Sequence, residues 1–179
     1  MIRIIRTSLV VFLMILKNGF CGSDPGAVYL KYVNEIVNAT VRDAKNEFGL
    51  TCDGSGGSMP MCVESIFISF ISDKECTLEE ARELEVKITE QFLIKINDHK
   101  KIAPFLKECP FKAEGAEIMI SFRPKNCHDQ NNSNVALVHQ VKNTIFYHIN
   151  EQSSSKLKLK LKEPYEEALK IVQSQSSST

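Results

Sequence analysis

Six cysteines and four histidines are the side chains of this chain best suited to chemistry. Cysteine can bridge, carry lipid, bind metal or attack a carbonyl, and histidine can move a proton or bind metal. Their spacing narrows the choice. Cys21, Cys52, Cys62, Cys76, Cys109 and Cys127 contain no Cys-x-x-Cys, so neither a dithiol redox centre nor a zinc knuckle is indicated. Cys52 and Cys62 flank a Gly-rich run and form the nearest candidate disulfide pair, if the compartment is oxidising. The alternative is that the cysteines are small buried apolar residues. The run itself, Asp53-Gly54-Ser55-Gly56-Gly57-Ser58, could cradle a phosphate through its backbone N–H groups. It lacks the Gly-Lys-Ser/Thr ending of a nucleotide loop, so it reads as a turn or wide bulge between strands. His139 and His148 come nearest to a constellation. A hairpin turning at Lys142-Asn143 sets His139 opposite Phe146 and His148 opposite Leu137, with both rings on one face. A metal there would need Cys127 or His128, and the spacing gives it no support. A hydrolase would need a Ser or Cys activated by one of these His residues. No catalytic residue, metal site or cofactor is therefore expected.

The N-terminus says where the chain goes. Arg3 and Arg6 precede an uncharged apolar core, Ser8–Leu16. That core is too short to span a bilayer, which takes about 20 residues. Lys17, Asn18 and Gly19 follow, then Cys21-Gly22-Ser23. Residues 1–21 read as a signal peptide, with a buried strand or short anchor as the alternative. The expected location is the periplasm or cell envelope, or outside the cell. Cys21 is the candidate lipidation site, although Phe20 stands where a small residue is usual.

The elements that position these residues follow from periodicity. Asp24-Pro25 opens a helix over Pro25–Phe48 that Gly49 stops. Leu50-Thr51-Cys52 is a short strand before the Gly-rich run. Met61–Ile71 is the strongest strand, apolar at nearly every position, and expected to be covered on both faces. Thr77–His99 is the central helix, with Thr77 and Glu80 as a capping box and Ala81, Leu84, Ile88, Phe92 and Ile96 as its apolar stripe. Val86 and Leu93-Ile94 widen its buried face. Ile102–Phe111 is a packed irregular segment pinned under the sheet edge, Glu117–Phe122 a strand, and Val135–Val141 with Thr144–Asn150 the hairpin. Lys156–Lys162 alternates strictly, as an edge strand with three Leu inward and four Lys outward; adhesion to an anionic membrane or polymer is the alternative. Pro164 starts a last helix, and 173–179 is a polar, disordered tail. The predicted fold is one α+β domain over residues 24–172, a single antiparallel sheet with two main helices packed on one face and a short C-terminal helix. The element order lacks the regular alternation of a doubly wound parallel sheet.

Several segments carry a resemblance in order. They are Gly49-Leu50-Thr51, Gly54-Ser55-Gly56-Gly57-Ser58-Met59, Leu78-Glu79-Glu80-Ala81-Arg82-Glu83-Leu84, Gln91-Phe92-Leu93 with Ile96-Asn97, Ile102-Ala103-Pro104-Phe105-Leu106 to Cys109-Pro110-Phe111, and Tyr165-Glu166-Glu167-Ala168-Leu169. This set is similar to a family of small exported proteins of chlamydia-like bacteria, across about Tyr29 to Val172. The resemblance implies export and attaches no activity or catalytic residue. Formal charge is zero, so no cationic field invites nucleic acid. The expected function is a non-enzymatic envelope or host-facing binding protein. Its partner would be a protein or envelope component, with membrane contact only through a lipid anchor or the Lys156–Lys162 strand. A disulfide-linked structural component of the envelope and a hydrolase with a Ser/Cys–His site are the alternatives. Gly54, Ser55, Gly56, Gly57 and Ser58 are the candidate contact residues, because exposed segments on rigid scaffolds carry binding.

Overall fold

A computed structural model of the chain describes residues 25–125, 134–151 and 156–176. Residues 1–24 with Cys21, the stretch read as a signal peptide, and Cys127 and His128, lie outside the described residues. Helix α1 (Pro25–Phe48) buries Tyr29, Val33, Ile36, Val37 and Ala44. It ends at Gly49, whose φ of 73° is a left-handed conformation free of strain only for glycine. The Leu50 N–H then closes back on the Ala44 carbonyl at 3.3 Å. Strands β1 (Thr51–Ser58) and β2 (Ser65–Ser72) form a hairpin.

Helix α2 (Leu78–Asp98) starts on the expected capping box. The Thr77 hydroxyl accepts from the Glu80 N–H at 3.3 Å, and the Glu80 carboxylate accepts from the Thr77 N–H at 2.8 Å. Ala81, Val86, Ile88, Phe92 and Ile96 are buried as expected, and the stripe departs from expectation at Leu84, Leu93 and Ile94. It runs through Ala81, Glu85, Ile88, Thr89, Phe92 and Ile96, while Leu84 is half-buried and Ile94 is 60% exposed. The chain from Ile102 to Phe111 is pinned, though to the residues leading into the interior strand β2 and to α2 rather than under a sheet edge. The Val63 N–H donates to the Phe105 carbonyl at 2.7 Å, and the Asn97 amide clamps Phe111, donating to its carbonyl and accepting from its N–H.

Strands β3 (Ala116–Phe122), β4 (Val135–Val141), β5 (Thr144–Asn150) and β6 (Leu157–Pro164) complete the sheet, and α3 (Tyr165–Ser176) follows. The strand order is β1-β2-β3-β4-β5-β6. The sheet is mostly antiparallel; only β2 and β3 run parallel. The exception has a plain cause. A helix the length of α2 carries the chain back along the sheet, and a returning chain re-enters in the same direction. Helix α3 continues to Ser176, four residues into the polar stretch expected to be disordered.

The helices lie on one face. Ile66, Ile68 and Phe70 of β2, Ile118 and Ile120 of β3, Val138 of β4 and Ile145 and Tyr147 of β5 meet them and are fully buried. The other face carries no helix among the described residues. Phe67 and Ile71 of β2 lie there half-buried, so β2 is covered fully on one side only.

Candidate interaction surface

The Gly-rich run is not a loop. It is the body of β1, paired along its length with β2 from Thr51↔Ile71 to Ser58↔Ser65. β1 stands at the end of the sheet, so its outward backbone N–H and C=O groups have no strand partner among the described residues. Five of its six residues from Asp53 to Ser58 are exposed; Gly54 is half-buried.

The glycines of β1 divide by cause. A Cβ on Gly57 would sit 2.2 Å from the Ser65 carbonyl oxygen, so the hairpin closes only over a bare Cα. A Cβ on Gly54 or Gly56 would meet nothing within 4 Å, and neither has a positive φ. The fold does not require glycine at these two positions, although each gives up about 0.5–1 kcal/mol relative to alanine. Glycine inside a strand marks a bulge or the close approach of another backbone. The register shift here falls between Cys52 and Gly54, which makes Asp53 the bulged residue and leaves Gly56 outside it.

Between β1 and α1 runs a groove of about 440 Å³. Tyr29, Leu30, Val33, Val37, Gly56 and Met59 line it, and no lining residue is charged. The Tyr29 hydroxyl donates to the Met59 carbonyl at 3.0 Å and fixes one end. Leu30 points into it from α1 and is 45% exposed. In the sequence Leu30 shares the helical period of Val33, Val37 and Ala44 and so reads as core, which hides the groove; its one signal is an apolar residue three positions ahead of Val33. The groove beside Glu64, Lys107, Glu108 and Lys112 is different, since its charges pair with one another at 3.1 and 2.9 Å.

His139 and His148 stand where the hairpin register placed them, opposite Phe146 and Leu137. Their rings stack on the face away from the helices at 5.3 Å, and His139 also stacks on Phe146 at 5.1 Å. Burial lowers both imidazole pKa values, and the neighbouring ring lowers that of His139 further. Cross-strand neighbours are Met119, Phe146, Leu137 and Leu159. Neither ring has a hydrogen bond to a serine or cysteine among the described residues, and no group of three metal-ligating side chains occurs among them.

β6 corrects a second expectation. It is the other edge, but its leucines do not all face inward. A register shift lies between Tyr147↔Leu161 and His148↔Leu159. It sends Leu161 to the helix side and Leu159 and Leu157 to the side away from the helices, where they are 45% and 48% exposed. A bulged residue opposite a regular strand swaps the facing of everything beyond it. The edge keeps Lys158, Lys160 and Lys162 and ends at Pro164, residues that discourage further pairing.

A buried polar cluster ties α2 to β5, β6 and α3. Arg82 holds Glu163 through two bonds of 2.7 and 3.2 Å, and the Tyr147 hydroxyl donates to the same carboxylate at 2.7 Å. Tyr165 donates to Glu90 at 2.6 Å. Glu85, fully buried beside this cluster, has no partner on either oxygen among the described residues, and burial holds its carboxyl well above the usual range. Glu85 is four residues after Ala81 and three before Ile88, which is the spacing of the stripe itself.

The expected Cys52–Cys62 bridge is not formed; both thiols are free, as are those of Cys76 and Cys109. The reason is geometric. Ser58 pairs with Ser65 where the hairpin closes, so Cys62 lies beyond one end of β1 and Cys52 near the other. Six residues of strand span about 20 Å, against the roughly 7 Å that a disulfide can bridge between Cα atoms. The Cys52 thiol donates instead to the Gly54 carbonyl at 3.6 Å. Burial pushes the Cys76 thiol up to about 12, which leaves it unreactive. Comparison of the chain with protein-family models, curated proteins and solved structures gave no match.

Proposed function

We propose that this is an exported, non-enzymatic binding protein of the cell envelope or its exterior, and that its partner meets the β1 edge. The observation that carries the reading is the contrast between the two sheet edges. β6 bears three lysines and a terminal proline, whereas β1 bears one acid, Asp53, and otherwise small uncharged side chains. From Gly54 to Ser58 β1 has no charge, proline or register shift, its one charge and its bulge both lying at Asp53; such a stretch of edge is a template for pairing, and natural proteins usually blunt it unless pairing serves them. The leader-like residues 1–21 and the ordered resemblance to an exported family support export. The aliphatic and aromatic neighbours of His139 and His148 support a binding role over hydrolysis, which needs a nucleophile within about 3 Å of its base.

The test places a photoreactive benzophenone residue in the full chain, in its native cell, at position 55 or at position 158. Irradiation should give a discrete protein adduct from position 55 and none from position 158. Mass spectrometry of the same sample should find the chain starting near Cys21. Adducts from position 158 alone, or a chain that keeps Met1, would contradict the reading.

A further inference from the structure

We infer that β1 takes up an extended segment of its protein partner as a seventh strand, with an apolar side chain of that segment filling the groove beside α1. The inference rests on β1 being the contact surface and specifies the chemistry of what binds there. An unpaired strand edge offers donors and acceptors at the strand repeat, and only another extended backbone matches them. The bare Cα atoms of Gly54 and Gly56, which nothing within the fold demands, leave room for that backbone or its side chains to lie close. The groove then selects by size and polarity. Leu30, Val33, Val37 and Met59 supply its apolar part, Asn34 and Ser55 add polar atoms, and no charged group lines it, so a charged side chain would lose water there without gaining an ionic partner. Charge selects again at the other end of the strand. Asp53 is the only formal charge on β1, it is exposed, and it forms no ion pair among the described residues. The segment that fits is therefore apolar at alternate positions and neutral except for a Lys or Arg set to meet Asp53. A second copy of this chain fits poorly. Its β1 would present glycine and serine to a groove that needs bulk, and offers no cation to Asp53.

The experiment pans a phage-displayed library of random nine-residue peptides on the full chain, with the Leu30→Lys chain as the counter-selection. Leu30 is nearly half exposed, so this variant should fold, and its circular dichroism should match the parent. The enriched peptides should alternate apolar residues and carry a basic residue towards one end. The best of them, synthesised with alternate backbone amides methylated, should bind the unaltered chain at least tenfold more weakly. Leu30→Lys should weaken the unmethylated peptide by a similar factor. Enrichment equal on both chains, equal binding of the methylated peptide, or a dimer in light scattering that Leu30→Lys disperses would each overturn the inference. If the panning fails while the cross-link from position 55 is still found in the native cell, strand addition falls and the binding reading stands. Loss of both removes both.

Discussion

At position 85 a carboxyl group interrupts an apolar stripe, and the physics of that single group makes a pH prediction. Burial raises its pKa in the folded chain, while the unfolded chain releases the proton near the ordinary value of about 4.3. Above that pH the unfolded state binds fewer protons than the folded one, so stability falls as pH rises towards the folded pKa. Glu85→Gln removes this linkage. Thermal unfolding should show the variant gaining on the parent from pH 5 to pH 8, with the two closest near pH 4. An unchanging difference across that range would mean that Glu85 is ionised in the fold. Glu163 is held by Arg82 and Tyr147, and truncating it leaves a buried guanidinium without its partner. Glu163→Ala should lose roughly 3–5 kcal/mol by urea denaturation, whereas exposed pairs such as Lys87–Glu83 contribute about 0.5 kcal/mol.

At the scale of elements, the glycines of β1 provide a paired test. Gly57→Ala drives a methyl group into the Ser65 carbonyl and should cost more than about 1 kcal/mol. Gly54→Ala and Gly56→Ala meet open space and should be neutral or stabilising by about 0.5 kcal/mol, since only unfolded-chain entropy changes. Equal effects at all three positions would show that β1 does not pair with β2 as described. The same strand shows where sequence reasoning stopped. Both main helices were legible to within a residue because caps and stop signals are local: Thr77 with Glu80, and Gly49 in its left-handed turn. The hairpin register that faces His139 with Phe146 was legible because a two-residue turn fixes it. The Gly-rich segment was not, because glycine disfavours a strand intrinsically and only pairing with the strongly apolar β2 extends it. Reading it as a loop also brought Cys52 and Cys62 falsely close. The β6 bulge was invisible for a related reason, since a register shift is decided by the neighbouring strand and leaves no mark on an alternating sequence.

For the whole molecule, the arrangement is asymmetric in a way that follows from its parts. Among the described residues helices cover one face of the sheet, Lys158, Lys160 and Lys162 line one edge, and β1 is the other edge, without lysine or proline. Gly54 to Ser58, the candidate contact residues, thus change their structural meaning from loop to strand. The groove beside them depends on the packing of α1 against β1 and could not be read from either segment alone. The most direct measurement is the yield of the position-55 adduct in the native cell when the open edge is given a gatekeeper. Gly56→Lys puts a charge on β1 at a position where the fold tolerates a side chain. The adduct should fall at least tenfold in this variant and stay at the parent level in Lys158→Thr. An adduct that persists through Gly56→Lys, or that vanishes with Lys158→Thr, would contradict the account.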